Sequence, residues 1–155
     1  MQLLLGTVPP IAELPSNFYD WLGLLGRMHV VVIHFPVALL LVAALGEVWG
    51  RVRGRVVGWT TATLVFGAVG ALFSMALGWM LIWFSGYECS RTLTRHKYLG
   101  TATAIIAIVA VAAHFKLVKG QARWWATSLV VVTAAMVALT GHLGGTLVYG
   151  DLFAP

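Results

Sequence analysis

Charge is scarce in this chain. Of its 155 residues only 10% are Asp, Glu, Lys or Arg, against about a quarter in an average soluble domain. Hydrophobic residues make up 60% of it and the mean hydropathy is +0.90. A chain this short cannot enclose so much apolar side chain in one water-soluble core, so soluble globular and disordered classes are excluded. Cysteine is nearly absent: the single Cys89 rules out an internal disulfide framework and any C-x-x-C-H attachment of c-type haem. Also missing are a phosphate-binding glycine loop and a nucleophile with an evident base, which removes hydrolase and transferase chemistry. Acidic residues are few, five against ten basic ones, for a net charge of +5. On a soluble chain that excess would suggest nucleic acid. With this hydropathy it reads as membrane topology, and no nucleic-acid partner is expected.

What is present is long apolar runs. A helix needs about 20 mostly apolar residues to span a bilayer, and four stretches qualify: 29–49, 57–84, 98–115 and 124–142. They are continuously apolar instead of alternating, which argues against β-barrel strands. The connections RVRGR (51–55), SGYECSRTLTRHK (85–97) and KLVKGQAR (116–123) are short, so sequential spans are antiparallel neighbours. The expected fold is therefore an all-α, up-down bundle of four transmembrane helices over residues 27–150. Residues 1–26, with Pro9, Pro10 and Pro15 followed by FYDWLGLLG, form an expected N-terminal interfacial arm. Residues 151–155 are a C-terminal tail. The start MQLLLGTVPP has no positive n-region and is a poor signal peptide.

Orientation follows from the loops. One side carries Arg51, Arg53, Arg55, Lys116, Lys119 and Arg123, opposed only by Glu47. The other side, shared by both termini, carries Arg27, Arg91, Arg95 and Lys97, offset by Glu13, Asp20, Glu88 and Asp151. The positive-inside rule puts the first side in the cytoplasm, with Trp49, Trp59, Trp124 and Trp125 as its aromatic belt. Both termini are then expected on the outer, periplasmic side.

Four of the five histidines fall on that outer side. Counting about 20 residues from the cytoplasmic end of each span, at about 1.5 Å per residue, reaches His29, His96 and His142 at one depth. His34 lies about 7.5 Å deeper and about 140° round the helix from His29. The chain is expected to be irregular there, because Pro36 removes a backbone donor and crowds the carbonyl of Val32. His114 falls alone at the cytoplasmic end of the third span. Taken singly, each histidine reads as an interfacial side chain or a bridge between helices. Four imidazoles from three spans at one level point further, to a shared metal or haem site, because ionisable residues inside spans are costly.

Imidazole-only ligation suits haem iron, copper or zinc. A haem between helices needs two imidazoles on opposing helices, small residues where the flat macrocycle lies, and cations for its propionates. Gly67, Ala71, Ser74 and Gly78 form a small stripe on the second span, and Gly141, Gly144 and Gly145 surround His142. Judged alone, that stripe is plain helix packing. Arg27, Arg91, Arg95 and Lys97 stand where propionates would emerge. Trp79 and Trp83, one turn apart at the same level, could stack on a haem edge or a quinone ring, or simply belong to an interfacial belt with Tyr87, Tyr98 and Tyr149. Glu47 is expected to pair with Arg51, and Cys89 is an unpaired loop thiol.

The run HVVVIHFPVALL (29–40), an H-x-x-x-x-H-F-P motif, stands with RHKYLG (95–100) and GHLGGTLVYG (141–150). Together they resemble an uncharacterised family of bacterial four-helix membrane proteins, whose members occur alone or fused to c-type cytochrome domains. The likeness covers residues 25–150. It implies His29, His34, His96 and His142 as the functional positions, in a respiratory electron-transfer setting of the bacterial inner (cytoplasmic) membrane. No c-type cytochrome domain is fused here, so such a partner is expected as a separate chain.

The leading expectation is a b-type cytochrome subunit holding one haem b, or two, in the outer leaflet. It would carry electrons between membrane quinol and a periplasmic acceptor such as cytochrome c, inside a respiratory or photosynthetic complex. His34 with His142 is the favoured ligand pair, and His29 with His96 the second. The alternatives are a copper or zinc site built from the same imidazoles and a cofactor-free structural subunit of a membrane complex. A stand-alone enzyme is less expected than an electron-transfer subunit. Transport is disfavoured, since there is no midplane ionisable pair.

Overall fold

The computed structural model describes residues 15–55, 57–86, 88, 90–116 and 122–150. Expectations that rest on Pro9, Pro10, Glu13, Tyr87, Cys89, Lys119 and Asp151 lie outside the described residues, as does the 151–155 tail. All described regular structure is helical: α1 (Phe18–Arg27), α2 (His29–Val32), α3 (His34–Val52), α4 (Gly58–Phe84), α5 (Arg91–Lys116) and α6 (Ala122–Tyr149). Four helical runs are long and apolar enough to cross a membrane, the first being Phe18–Val52, which joins α1, α2 and α3.

Local chemistry sets where these helices start and break. Asn17 caps α1, its side-chain oxygen accepting from the Asp20 amide at 3.0 Å. The break at Ile33 follows from Pro36, which has no N–H to offer the Val32 carbonyl. The next amide, Val37, still reaches the Ile33 carbonyl at 3.2 Å. Ser90 caps α5, accepting from the Leu93 amide at 3.0 Å, so the helix begins at Arg91, ahead of the apolar run expected from 98. At the other extreme α6 continues beyond 142 to Tyr149. It stops at Gly150, whose φ of 80° is a conformation that side chains with a Cβ resist. The FYDWLGLLG segment becomes α1, a helix laid along the end of α4. A Cβ at Gly26 would stand 2.5 Å from the Leu81 amide nitrogen, so only glycine permits this approach.

Neighbouring helices in the bundle are α3 with α4, α4 with α5, α5 with α6, and α6 with α3. The α2–α3 run and α5 therefore face each other across the middle. The interior is built mainly from small side chains, among them Ala43, Ala68, Ala104, Ala107 and Ala110, with Leu40, Leu64, Val130 and Val137 filling between them. Large ones such as Phe35, Phe66, Phe73 and Leu45 point outward. That inversion fits a hydrocarbon surround: lipid gives no reward for burying Leu or Phe, whereas small residues let helices approach closely. Thr60 apart, whose buried hydroxyl has no partner, the buried threonines find acceptors. Thr103, Thr133 and Thr140 each donate to the carbonyl one turn back, at 2.7–2.8 Å.

Candidate functional site: a histidine pair across the bundle

His29 on α2 and His96 on α5 meet across the bundle, ring centroids 6.1 Å apart and planes 79° from parallel. Both are half-buried. Each imidazole is anchored by Nδ1 to a backbone carbonyl of its neighbouring helix. Nδ1 of His29 lies 2.7 Å from the Ser74 carbonyl, with the Ser74 hydroxyl at 3.1 Å. Nδ1 of His96 lies 3.0 Å from the Thr140 carbonyl. A carbonyl can only accept, so in both rings Nδ1 carries the hydrogen and Nε2 keeps a free lone pair. That tautomer leaves Nε2 able to ligate a metal, and such an anchor is the usual outer partner of a ligating histidine.

Each ring also has a glycine seat. A Cβ at Gly78 would stand 3.1 Å from Cε1 and Nδ1 of His29, and one at Gly144 would stand 3.1 Å from Cε1 of His96. The small stripe of α4 is thus two things. Gly67 receives Leu40, which is ordinary packing, while Ser74 and Gly78 receive His29. Of the glycines around His142, Gly144 seats His96, whereas Gly141 and Gly145 face open space.

The remaining expected site residues are placed as follows. His34 and His142 share this end of the bundle but are both exposed, and Nδ1 of His34 lies 3.3 Å from the Val31 carbonyl in its own chain segment. The structure therefore brings together the second of the two expected pairs, His29 with His96. Among the described residues no group of three His, Cys, Asp or Glu converges as a metal site. Trp79 donates from Nε1 to the Thr101 hydroxyl at 3.0 Å and packs 5.5 Å from Trp83 and 6.3 Å from Tyr98. Lys97 holds its ammonium over the rings of Trp79 and Tyr98. Arg27, Arg91 and Arg95 are exposed at the same end.

A second polar cluster closes the opposite end, and there two expectations are corrected. His114 is not alone: it is buried, with Nδ1 3.4 Å from Glu47 Oε2 and Nε2 2.9 Å from the Thr61 hydroxyl. Glu47 does not pair with Arg51 within 4.0 Å; it accepts from the Thr127 hydroxyl at 3.0 Å, and Arg51 donates from Nε to that same hydroxyl. The nearness of Arg51 along the chain suggested the pair. Glu47, only 3% exposed, points inward instead and finds its partners across the bundle. Thus α5 meets the first run twice, His96 against His29 at one end and His114 against Glu47 at the other.

A two-imidazole haem site is consistent with this donor set. His29 and His96 would supply the two imidazole donors that a haem iron or another metal takes; their 6.1 Å spacing is also that of an edge-to-face ring contact. No family model, curated protein or solved structure matches the chain.

Proposed function

We propose that this chain is a membrane-embedded b-type cytochrome subunit in which His29 and His96 would hold the haem iron. The observation that carries the reading is the facing imidazole pair, each ring fixed through Nδ1 so that Nε2 remains available. The likeness of the H-x-x-x-x-H-F-P and G-H-x-G-G motifs to the bacterial four-helix family supports the same setting. Bound haem would supply one-electron redox chemistry; the residues around it decide position, ligand basicity and dielectric. The carbonyls of Ser74 and Thr140 orient the rings, and the Ser74 hydroxyl adds electron density to His29. Lys97, Arg27, Arg91 and Arg95 offer cations to propionates. Trp79, pinned to Thr101, gives a flat apolar surface beside the site for a quinone ring.

In this reading the histidine end faces the periplasm of the bacterial inner membrane. Electrons pass from quinol to an outer acceptor such as a c-type cytochrome, within a larger complex. The test is direct. Purified protein should contain haem b by pyridine haemochrome assay, accept electrons from a quinol analogue and pass them to a soluble c-type cytochrome. Stoichiometric copper or zinc with no haem would replace this reading by a metal site on the same pair.

A further inference from the structure

We propose that the seam between α3 and α6, at the end away from the histidine pair, binds one anionic phospholipid. Its phosphate would be held by Arg51 and Arg123, and an acyl chain would lie in the groove lined by Leu41, Ala44, Leu45, Val48 and Val131. Three observations carry this inference. None depends on haem, because the seam lies at the other end of the bundle.

The first is charge without a direct counter-ion. Neither arginine of the seam has a carboxylate within 4.0 Å: Glu47 pairs with His114 and is joined to Arg51 only through the Thr127 hydroxyl. Both arginines are held in place by neutral partners. Arg51 donates from Nε to the Thr127 hydroxyl at 3.0 Å and lies 4.2 Å over the Trp124 ring. Arg123 donates from Nη2 to the Arg55 carbonyl at 3.3 Å, passing over Gly50, where a Cβ would come within 3.6 Å of it. Two guanidinium groups, one on each helix of the seam, are thus each held in place, and guanidinium is the side chain best suited to a phosphate.

The second is an orphaned donor. Nη2 of Arg51 is buried and has no hydrogen-bond partner. A buried unpaired donor on a cation is costly, and the chain itself supplies no acceptor for it among the described residues. The third is shape. The groove, about 440 Å³ in volume, is apolar and faces outward between α3 and α6. Its α3 wall repeats at positions 41, 44, 45 and 48, so the next residue on that stripe is Arg51. Its α6 wall at Val131 continues one turn back to Thr127 and on to Trp124 and Arg123. An apolar groove on the same seam as two cations and an interfacial tryptophan matches an amphiphile with an anionic head. A free phosphate would use the arginines and leave the groove unexplained. Exposed Arg53, Arg55 and Lys116 at the same end add to the local positive field.

The test uses the whole purified chain in detergent. Native mass spectrometry measures retention of phosphatidylglycerol against phosphatidylcholine of the same acyl chains, with inorganic phosphate as a competitor. Phosphatidylglycerol should be retained preferentially. Arg51→Gln and Arg123→Gln should each weaken retention about fivefold, and the double variant about thirtyfold. Arg53→Gln, which removes the same charge from an exposed side chain over Trp49, should change it less than about twofold. Val131→Phe, which fills the groove, should weaken retention with both arginines intact. Arg123→Gln touches only a backbone carbonyl and serves if Arg51→Gln fails to fold. Equal retention of phosphatidylcholine, an Arg53→Gln loss as large as that of Arg51→Gln, or an unaffected Val131→Phe variant would overturn the proposal. Complete displacement by millimolar inorganic phosphate would also overturn it, in favour of a simple phosphate site.

Discussion

Gly78 sits against His29 so closely that a single added carbon would stand 3.1 Å from two atoms of the imidazole ring. Gly144 bears the same relation to His96. These two seats lie on different helices and serve the two rings that face each other across the bundle.

They give the first prediction. Gly78→Ala and Gly144→Ala should each lower the haem-to-protein ratio of purified material, and the corresponding valine variants should abolish haem retention, because the rings must shift to admit the larger side chain. Gly145→Ala, with nothing near its Cβ position, is the control and should leave the ratio unchanged. Equal loss in the control would remove the seats from the account.

Ser74 supplies a second. Its carbonyl would remain in Ser74→Ala, so His29 should keep its orientation and its ligand. Its hydroxyl, 3.1 Å from Nδ1, would be lost, leaving the ring less electron-rich. The midpoint potential should therefore rise, on the order of tens of millivolts, with haem content intact. Redox titration followed by absorbance measures this. An unchanged potential would show that the hydroxyl does not act on the ligand.

How much of this was legible in the residues differs between depth and direction. Depth was readable: rise per residue placed His29, His96 and His142 at one level, and that end is where the structure holds them. The run 57–84 foretold α4 almost to the residue. Helix ends were less so, because hydropathy marks the apolar stretch and not the caps. Ser90 starts α5 seven residues before the expected 98, and Gly150 ends α6 seven residues after the expected 142. Direction round the helix was the hidden variable. His34 with His142 was favoured on the sequence, yet both are exposed. A signal for the inward pair did exist. Thr140 and Gly144 are one turn apart on α6 and share the face that meets His96, while His142 lies about 200° from Gly144. Ser74 and Gly78 mark the matching face of α4 for His29.

A third prediction concerns the opposite end. Glu47→Ala would leave Nδ1 of His114 without its buried acceptor, while the Thr127 hydroxyl keeps the Arg123 carbonyl at 3.1 Å. The substitution should destabilise the bundle by about 2–3 kcal/mol. Glu47→Gln keeps an acceptor oxygen and should cost about 1 kcal/mol. Denaturant unfolding in detergent separates the two. His96 and His114 are 18 residues apart on α5, about 27 Å along the helix, so folded Glu47→Gln protein should bind haem normally.

The fourth concerns α1. Gly26→Ala places a Cβ against the backbone of Leu81, and overpacking of that kind costs about 1–3 kcal/mol. The strain should be relieved locally, by α1 lifting from α4. Hydrogen exchange should quicken over residues 18–27 while α5 and α6 keep their protection. Uniform acceleration through the bundle would instead mean that α1 is integral to its stability.

The most direct measurement is the oxidised and reduced visible spectrum of the wild type beside four alanine variants. A reducible b-type band in the wild type should be lost in His29→Ala and in His96→Ala, and kept in His34→Ala and His142→Ala. No such band in the wild type, or a band that survives loss of His29 and His96 but not of His34 and His142, would contradict the account.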